Sequence, residues 1–460
     1  MGTFSGRKRG DKDTYMSTKA AFLTLGCKVN QYETDAMKEI LESEGYEIVD
    51  FKDQADIYII NTCSVTNMAD RKSRQMISRT RKKNPEAVIV AAGCYVQAQE
   101  ETLLETGMAD ILVGNNKKKD IAIIIEDYYR KKERIHEVVD LSQQPEYEPL
   151  FVTNVSGHTR AYLKIQDGCN QFCSYCIIPY TRGRIRSRRP EDILTEVRSL
   201  AEKGFKEIVF TGIHLSSYGK DLGDTDLLSI IGQVNQVEGI ERIRLSSLEP
   251  RIITEDFVRR LTRYEKVCPH FHLSLQSGCD ETLRRMNRRY NTEEYEQALG
   301  ILRKYYDRPA LTTDVIVGFV GETEEEFSST VDYLERINLY EMHIFKYSVR
   351  KGTRAETMKG HVPEEIKNRR SNILLEMSAR HRKAYEDSYL GSREEVLLEE
   401  QVIHQGESYY QGYTRHYIKV LIPCRDCPVE LQSNRILPVI LQEKLGDNLI
   451  LGKVSIEFSH

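Results

Sequence analysis

Gly168-Cys-Asn-Gln-Phe-Cys-Ser-Tyr-Cys176 is the most informative stretch of this sequence, and it follows an apolar run that predicts a β-strand. Its cysteines, Cys169, Cys173 and Cys176, are spaced C-x3-C-x2-C. Three thiolates on one short loop can hold three corners of a cubane iron–sulfur cluster and leave the fourth iron open to a small molecule. Zinc is the alternative, but it usually takes four ligands, often from paired C-x2-C motifs, and no partner C-x2-C pair lies nearby. The spacing therefore favours a cluster that performs chemistry.

The chain has 460 residues, a hydrophobic content of 40% and a net charge of −4, which predict a soluble protein of about three domains. No apolar run is long enough to cross a bilayer. Residues 1–16 lack the apolar core of a secretory signal, so we expect a disordered extension there and a cytoplasmic protein with no membrane partner. Ten cysteines in such a chain indicate metal or redox chemistry rather than disulfides.

A second set of three cysteines lies upstream, at Cys27, Cys63 and Cys94, and each follows an apolar, strand-like run. Helix-like stretches, Thr34–Glu44 and Ala69–Lys83, separate these runs. The alternation predicts a doubly wound parallel sheet, in which ligands bind beyond the carboxyl ends of the strands. We therefore expect the three cysteines to converge on a second cluster. Three separate buried cysteines are the structural alternative.

The middle of the chain predicts six β/α units, and hence an incomplete parallel barrel with the C-x3-C-x2-C loop at its mouth. The predicted strands are Ala161–Gln166, Ile208–Thr211, Ile243–Ser246, His272–Gln276, Thr313–Val317 and His343–Tyr347. Polar residues and glycines follow several strands, and we predict that they bind a cofactor at the rim, although a single glycine loop is often only a turn. These residues are Thr211, Gly212, Ser246, Glu249, Gln276, Gly318, Gly321 and Glu322.

Three basic runs stand out in this slightly acidic chain. One covers residues 71–83, one follows the cysteine loop, and one covers residues 284–289. Such runs are often only solvated faces, but phosphate neutralisation dominates nucleic-acid affinity, so runs beside two cluster loops favour RNA contact. The residues predicted to bind RNA are Arg182, Arg184, Arg186, Arg188 and Arg189.

The C-terminal part predicts a helical connector, Pro363–Tyr389, followed by a small β-barrel. Four tyrosines there either stack on unpaired bases or pack within the barrel: Tyr409, Tyr410, Tyr413 and Tyr417. Cys424 and Cys427 form a C-x2-C pair with no second pair to complete a zinc site, so we interpret them as free thiols, as we do Cys268 and Cys279.

The cysteine loop, the six β/α units and Gly318-x-x-Gly-Glu322 resemble a radical S-adenosylmethionine enzyme. Thr24-Leu-Gly-Cys-Lys-Val-Asn-Gln-Tyr-Glu33, Asn61-Thr-Cys-Ser-Val-Thr66 and Gly93-Cys-Tyr95 narrow the resemblance to methylthiotransferases. It extends from about residue 18 to the C-terminus and is greatest to the branch that acts on N6-threonylcarbamoyladenosine in tRNA. Tyr175 matches the aromatic residue that commonly packs on the cofactor's adenine. Val320 departs from the family, which commonly has proline there, and should loosen that turn.

The resemblance implies two [4Fe–4S] clusters and S-adenosylmethionine as cofactors. The cluster on Cys169, Cys173 and Cys176 would bind and reductively cleave S-adenosylmethionine, and the cluster on Cys27, Cys63 and Cys94 would deliver or anchor sulfur. The product would be a 2-methylthio group on the adenosine at tRNA position 37. The implied partners are the anticodon stem-loop, an electron donor such as flavodoxin or ferredoxin, and a sulfur source. The implied domains are an N-terminal α/β domain (17–145), a radical S-adenosylmethionine domain (146–388) and a TRAM barrel (389–460).

Several alternatives remain open at this level. The substrate could be isopentenyl-adenosine in tRNA or a side chain of a ribosomal protein. A protein of another class, either an iron–sulfur electron carrier or an RNA-binding protein with structural clusters, would contain the same cysteines without cleaving S-adenosylmethionine.

Overall fold

The computed structural model describes residues 18–143, 146–153, 159–427 and 434–455, so the disordered extension predicted for residues 1–16 lies outside the described residues. Within those ranges, no helix is both long enough and apolar enough to cross a bilayer. A parallel sheet, an open barrel and a closed barrel follow one another along the chain. We propose residues 17–145 as the domain that contains the parallel sheet, residues 146–388 as the domain of the open barrel and residues 389–460 as the domain of the closed barrel.

The N-terminal sheet has six parallel strands in the order β2-β1-β3-β4-β5-β6. Helices α1 and α5 cover one face, and α2 to α4 cover the other, as the prediction of a doubly wound sheet requires. The elements are β1 (Lys19–Thr24), α1 (Lys28–Ser43), β2 (Glu47–Val49), β3 (Ile57–Thr62), α2 (Asn67–Lys83), β4 (Val88–Gly93), α3 (Cys94–Ala98), α4 (Glu100–Thr106), β5 (Ile111–Val113), α5 (Ile121–Lys131) and β6 (Ile135–Glu137).

Helix α1 begins at Lys28, earlier than the predicted start at Thr34. Its first two turns bury polar side chains, including Asn30, Glu33 and Asp35, so the apolar periodicity that marks a helix is missing there. Strands β2, β5 and β6 were not predicted. Each has only three residues, which is too short for a periodic signal.

The central structure is an open barrel of six parallel strands with the short β8 added antiparallel at one edge. Isolated bridges, Ile243 to Val267 and Leu248 to Leu273, join its two sheets. The elements are β7 (Arg160–Asp167), α6 (Ile178–Thr181), β8 (Arg186–Ser187), α7 (Pro190–Glu202), β9 (Glu207–Gly212), α8 (Leu227–Asn235), β10 (Arg242–Leu245), α9 (Glu255–Leu261), β11 (His270–His272), α10 (Asp280–Arg285), α11 (Thr292–Tyr305), β12 (Ala310–Val317), α12 (Glu324–Ile337), β13 (Glu341–Lys346) and α13 (Glu364–Asp387).

The incomplete barrel is confirmed, but one strand is shifted. The strand predicted at His272–Gln276 is His270–His272, and the residues after it form only isolated bridges. Gln276 has a φ of +75°, a left-handed conformation that continuous strand pairing does not permit. The chain therefore leaves the strand early and presents Gln276 in a turn.

The C-terminal structure is a closed barrel in the order β14-β15-β16-β18-β17, consistent with the predicted TRAM module. Its strands are β14 (Arg393–His404), β15 (Glu407–Thr414), β16 (Lys419–Pro423), β17 (Ile436–Gly446) and β18 (Leu449–Val454). The tyrosine-rich strand β15 was not predicted. Tyr409 and Tyr410 are buried, and Tyr413 and Tyr417 stack on each other beneath the Arg160 guanidinium. Of the two alternatives left open by the sequence, packing within the protein therefore describes these tyrosines, with Tyr409 and Tyr410 buried and Tyr413 and Tyr417 half-buried.

The closed barrel covers the amino-terminal end of the open barrel. Arg242 donates a hydrogen bond to the Tyr413 carbonyl (3.0 Å), and Arg244 donates one to the Arg415 carbonyl (3.1 Å). Arg160 pairs with Glu399 at 2.5 Å. These contacts close one end of the barrel and leave its carboxyl end for a functional site.

Candidate active site

Cys27, Cys63 and Cys94 follow the carboxyl ends of the neighbouring strands β1, β3 and β4. Thr62 and Gly93 are paired in register, so Cys63 and Cys94 leave their strands side by side. Gly26, which precedes Cys27, approaches so closely that a Cβ added to it would lie 3.0 Å from the Cys63 sulfur. The structure thus brings together the three cysteines that the sequence placed at one edge of the sheet.

Asn30 holds these loops together, although no sequence pattern marks it as a functional residue. Its side-chain amide donates to the Leu25 carbonyl (2.7 Å) and to the Thr62 carbonyl (2.9 Å), which joins the loop carrying Cys27 to the strand carrying Cys63. Asn30 is 1% exposed, so loss of the amide would leave two buried carbonyls unpaired.

The loop of Cys169, Cys173 and Cys176 follows β7 at the carboxyl end of the open barrel. Gly168 has a φ of +72°, and a Cβ there would lie 1.8 Å from the Arg184 carbonyl oxygen, so only glycine fits. The Cys169 amide donates to the Gly183 carbonyl, and the Ser174 amide donates to the Met286 carbonyl, both at 3.0 Å. The loop is therefore fixed independently of any bound group.

Both sets of thiols fit an iron–sulfur cluster. Burial, with a contribution from Cys94, raises the pKa of Cys63 to about 12. Burial, with a contribution from Cys173, raises the pKa of Cys176 to about 12. Three neighbouring thiolates need a compensating positive charge, which the irons of a cluster supply. Cys268, Cys279, Cys424 and Cys427 lie outside both sets, and their interpretation as spare thiols stays a prediction.

The predicted cofactor residues lie at the rim beside this loop. Thr211 and Gly212 end β9, and Ser246 follows β10. The Ser246 hydroxyl is buried and has no hydrogen-bond partner among the described residues, which fits a site that a ligand completes. Glu249 accepts a hydrogen bond from the Gln171 side chain (3.3 Å) and so stays beside the cysteine loop. The Tyr175 ring packs edge-on against Phe319, at 6.2 Å between centroids.

The loop of Gly318, Gly321 and Glu322 is held by its own carboxylate. Glu322 accepts from the Gly318 amide and pairs with Arg370, both at 2.6 Å. Glu322 therefore positions the loop, and the binding of a cofactor by this loop stays a prediction. Arg285 donates to the Val320 carbonyl (3.2 Å), and the Gly321 amide donates to the Gly360 carbonyl (2.8 Å). These contacts fix the turn that contains Val320.

Arg182 connects the two cysteine sets and is fully buried. Its Nε donates to the Cys94 sulfur (3.3 Å), and its Nη2 donates to Asn30 Oδ1 (2.8 Å). Its Nη1 pairs with Glu33 (2.8 Å) and with Asp167 (3.2 Å), which lies just before the second cysteine loop. A planar guanidinium with five donors suits this role, because it contacts both loops at once.

The prediction that Arg182, Arg186 and Arg188 bind RNA is wrong, because all three are buried in the protein. Arg188 pairs with Glu196 at 2.6 Å, and Arg186 donates to the Arg182 carbonyl at 2.7 Å. Arg184 and Arg189 are exposed and stay candidates for phosphate contact. In the third basic run, Arg288 donates to the Cys173 sulfur at 3.2 Å and so belongs to the cysteine site.

The interior of the open barrel is unusually polar. Alternate residues of its strands pack outward into the hydrophobic core, as Ala161, Leu163 and Ile165 do, and the residues between them line the interior. Each parallel strand contributes at least one charged or histidine side chain to this interior: Arg160, Glu207, Arg244, His272, Asp314 and His343.

Two features of this interior bear on ligand binding. Asp314 lies between His272 (3.2 Å) and His343 (3.3 Å), at hydrogen-bonding distance from both. Lys28, directly after Cys27, places its ammonium 6.0 Å from the centre of the Tyr162 ring. Enclosure by the barrel and the nearby Arg160 and Arg244 lower the pKa of Lys28 to about 8. The interior therefore combines a cation with a histidine pair below the cysteine loops.

Residues 19–114 match the family described as "Uncharacterized protein family UPF0004", and residues 163–334 match the "Radical SAM superfamily". The chain is 41% identical to the "Threonylcarbamoyladenosine tRNA methylthiotransferase MtaB" of Bacillus subtilis, over 87% of this chain and 89% of that protein. The chain belongs to the radical S-adenosylmethionine methylthiotransferase family. Cys27, Cys63 and Cys94 of this methylthiotransferase lie in the first matched region, and Cys169, Cys173 and Cys176 lie in the second.

Other relatives agree with this assignment. The MtaB protein of Aquifex aeolicus is 41% identical, over 88% of this chain and 100% of that protein. A "tRNA-2-methylthio-N(6)-dimethylallyladenosine synthase" of Acetivibrio thermocellus is 37% identical, over 85% of this chain and 82% of that protein. The solved structure of the radical S-adenosylmethionine methyltransferase TsrM from Kitasatospora setae, with cobalamin and a [4Fe-4S] cluster bound, shares the fold with a TM-score of 0.56 at 15% identity, over 74% of this chain and 77% of that chain. As a radical S-adenosylmethionine methylthiotransferase, the protein uses [4Fe–4S] clusters and S-adenosylmethionine.

Proposed function

We propose that this enzyme methylthiolates C2 of N6-threonylcarbamoyladenosine at position 37 of tRNA. The observation that carries the proposal is the polar interior of the open barrel, directly below the cysteine loops. The threonylcarbamoyl group carries a carboxylate, a hydroxyl and a urea, whereas the dimethylallyl group is apolar. An interior with Lys28 and the His272–Asp314–His343 group suits the first substituent, because a carboxylate gains charge-assisted hydrogen bonds there and an apolar group gains none. The name of the Bacillus relative supports the same substrate.

The positions of the residues indicate which part of the reaction each of them supports. When bound, the clusters and S-adenosylmethionine supply the sulfur, the methyl group and the radical chemistry at C2. Cys169, Cys173 and Cys176 hold one cluster beside the strand-end residues that bind S-adenosylmethionine, and Cys27, Cys63 and Cys94 hold the other. Arg182 keeps the two loops in fixed relation, so a base placed between them meets both.

Helix α2 offers a surface for the tRNA backbone. It begins four residues after Cys63, and Lys72, Arg74, Arg79 and Lys82 on it are exposed. A cavity of about 650 Å³ beside it is lined in part by Arg74, Arg79 and Lys82. Phosphates bound here would bring the anticodon loop towards the cysteine sites, and the base must leave its stack to reach them.

Replacing Lys72 and Arg79 by glutamine should weaken tRNA binding. It should also reduce the slope of the logarithm of the binding constant against the logarithm of the salt concentration by about two, because two phosphate contacts are lost. Fluorescence anisotropy of labelled tRNA over a salt series measures both quantities. The matched control is Arg130→Gln with Lys131→Gln, on α5 at the opposite face of the sheet, which should leave both unchanged. If the double substitutions on α2 and on α5 had equal effects on tRNA binding, the basic residues of α2 would be solvated surface residues without a part in RNA binding.

The decisive test uses anaerobic, reduced enzyme with both clusters assembled. It should convert an anticodon stem-loop bearing threonylcarbamoyladenosine to the 2-methylthio product, detected by mass spectrometry of nucleosides, and leave the dimethylallyl stem-loop unmodified. Conversion of the dimethylallyl substrate alone would overturn the proposal. An absence of S-adenosylmethionine cleavage would favour an electron carrier or a structural RNA-binding protein. The electron donor, of the flavodoxin or ferredoxin kind, and the sulfur source stay predictions.

A further inference from the structure

Lys28 is a cation for which the described part of the chain provides no carboxylate at ion-pair distance. Other cations near it are neutralised: Arg160 pairs with Glu399 (2.5 Å), and Arg244 pairs with Glu207 (2.7 Å). Lys28 retains contact with solvent, and its ammonium faces the barrel interior at the Tyr162 ring. A cation that faces the barrel interior without a carboxylate beside it can bind an anion that enters this space.

His343 is the second polar group available in this space. Its Nδ1 is 3.3 Å from Asp314 Oδ1, and its side chain is 51% exposed. Within the described residues, its Nε2 has no protein partner, so it can take part in a hydrogen bond to a ligand. Tyr162, which lies beside the Lys28 ammonium, and His343 both occupy interior-facing positions of the open barrel, on β7 and β13.

We infer that Lys28 and His343 form an anion-binding subsite for the carboxylate of the N6 substituent. The inference rests on the proposed function and names the residues that would select the substrate. Sulfur transfer requires adenine C2 to approach the cluster held by Cys27. Since N6 lies on the same edge of the purine as C2, separated from it by N1, the substituent then extends past the residue next to Cys27. Lys28 is that residue, and its side chain runs into the barrel interior.

A dimethylallyl group in this position would cover Lys28 without neutralising it. Covering a charge without a partner is unfavourable, whereas a carboxylate gains a charge-assisted hydrogen bond. A subsite that requires a charged group therefore discriminates strongly against a substrate that lacks one. The selectivity between the two modified adenosines follows from one lysine and one histidine.

The test compares two anticodon stem-loops that differ only in the substituent: one with the free threonyl carboxylate and one with its carboxamide. Anaerobic holoenzyme should bind the carboxylate about tenfold or more tightly than the carboxamide. Lys28→Met should abolish this difference while keeping the iron content and the cleavage of S-adenosylmethionine. The matched control is Lys38→Met on the same helix, where Lys38 pairs with Asp35 at 3.5 Å and should not affect discrimination.

The outcomes separate the inference from the proposed function. If wild-type enzyme methylthiolates both stem-loops and binds them equally, the subsite is wrong and the proposed function stands. If wild-type enzyme does not methylthiolate the carboxylate stem-loop, the proposed function itself fails. Should Lys28→Met lose the neighbouring cluster, His343→Gln decides the matter, since it lies in the other sheet. Full discrimination in His343→Gln would then overturn the subsite.

Discussion

Replacing Cys63 by alanine should abolish methylthiolation but preserve cleavage of S-adenosylmethionine, whereas replacing Cys173 by alanine should abolish both. Cys63 lies in the N-terminal sheet and Cys173 in the open barrel, so each substitution should remove one cluster and reduce the iron content by about half. Methylthio product should fall below detection in both variants. Chromatography of 5′-deoxyadenosine, together with nucleoside mass spectrometry, measures the two activities separately.

The control for this pair is Cys279→Ala. Cys279 is buried and lies close to Glu281, outside both cysteine sets. Its replacement should leave the iron content and both activities near wild type, which shows that loss of a buried thiol alone is harmless. If Cys63→Ala retained methylthiolation with half of the iron, the N-terminal cysteines would have no part in sulfur transfer. If both variants lost all iron, the two sites would depend on each other for assembly.

The cysteine sites were predictable because their signal is local. Cys169, Cys173 and Cys176 share one loop, so spacing alone indicates a cluster. Cys27, Cys63 and Cys94 are far apart in sequence, but each follows a strand of a parallel sheet, and the topology of such sheets brings strand ends to one edge. For this second set, the regular backbone of the sheet fixes where the side chains meet.

The arginines were not predictable in the same way, because the sequence shows their charge but not their burial. Arg182 binds Glu33, which lies 149 residues earlier, and Arg188 binds the Tyr32 hydroxyl, 156 residues earlier. No local pattern links residues at that separation. The basic run that follows the cysteine loop was predicted to bind phosphate. Its buried arginines instead form part of the junction between the N-terminal sheet and the open barrel.

The start of helix α1 was predicted wrongly for a similar reason: the sequence shows that its first residues are polar but not that several of them are buried. Its first turns carry Lys28, Asn30 and Glu33, which are polar and give no helical periodicity, so the predicted start lay six residues too late. Asn30 and Glu33 are nevertheless helical because their side chains find partners across the junction, Arg182 for both. Interior packing, rather than propensity, determines where this helix begins.

Glu33→Gln should destabilise the protein by about 3–5 kcal/mol, because Glu33 is the shared anion of a buried group of cations. It pairs with Lys164 (2.7 Å), Arg182 (2.8 Å) and Lys118 (2.9 Å), all of which are buried. Burial alone would raise the pKa of Glu33, but these three cations outweigh it and hold the pKa well below its usual range. A neutral glutamine would leave more positive charge enclosed than Asp167 can balance. Anaerobic urea unfolding followed by circular dichroism measures the loss.

Glu42→Gln is the matched control, since Glu42 is exposed on the same helix and its replacement should change stability by less than about 0.5 kcal/mol. The same buried group also positions Arg182, which donates to the Cys94 sulfur. Glu33→Gln should therefore lose iron from the N-terminal site faster than from the barrel site when a chelator is added. Equal rates of iron loss would mean that Arg182 keeps its place without Glu33. Stability close to that of Glu42→Gln would mean that the remaining carboxylates suffice to balance the three cations.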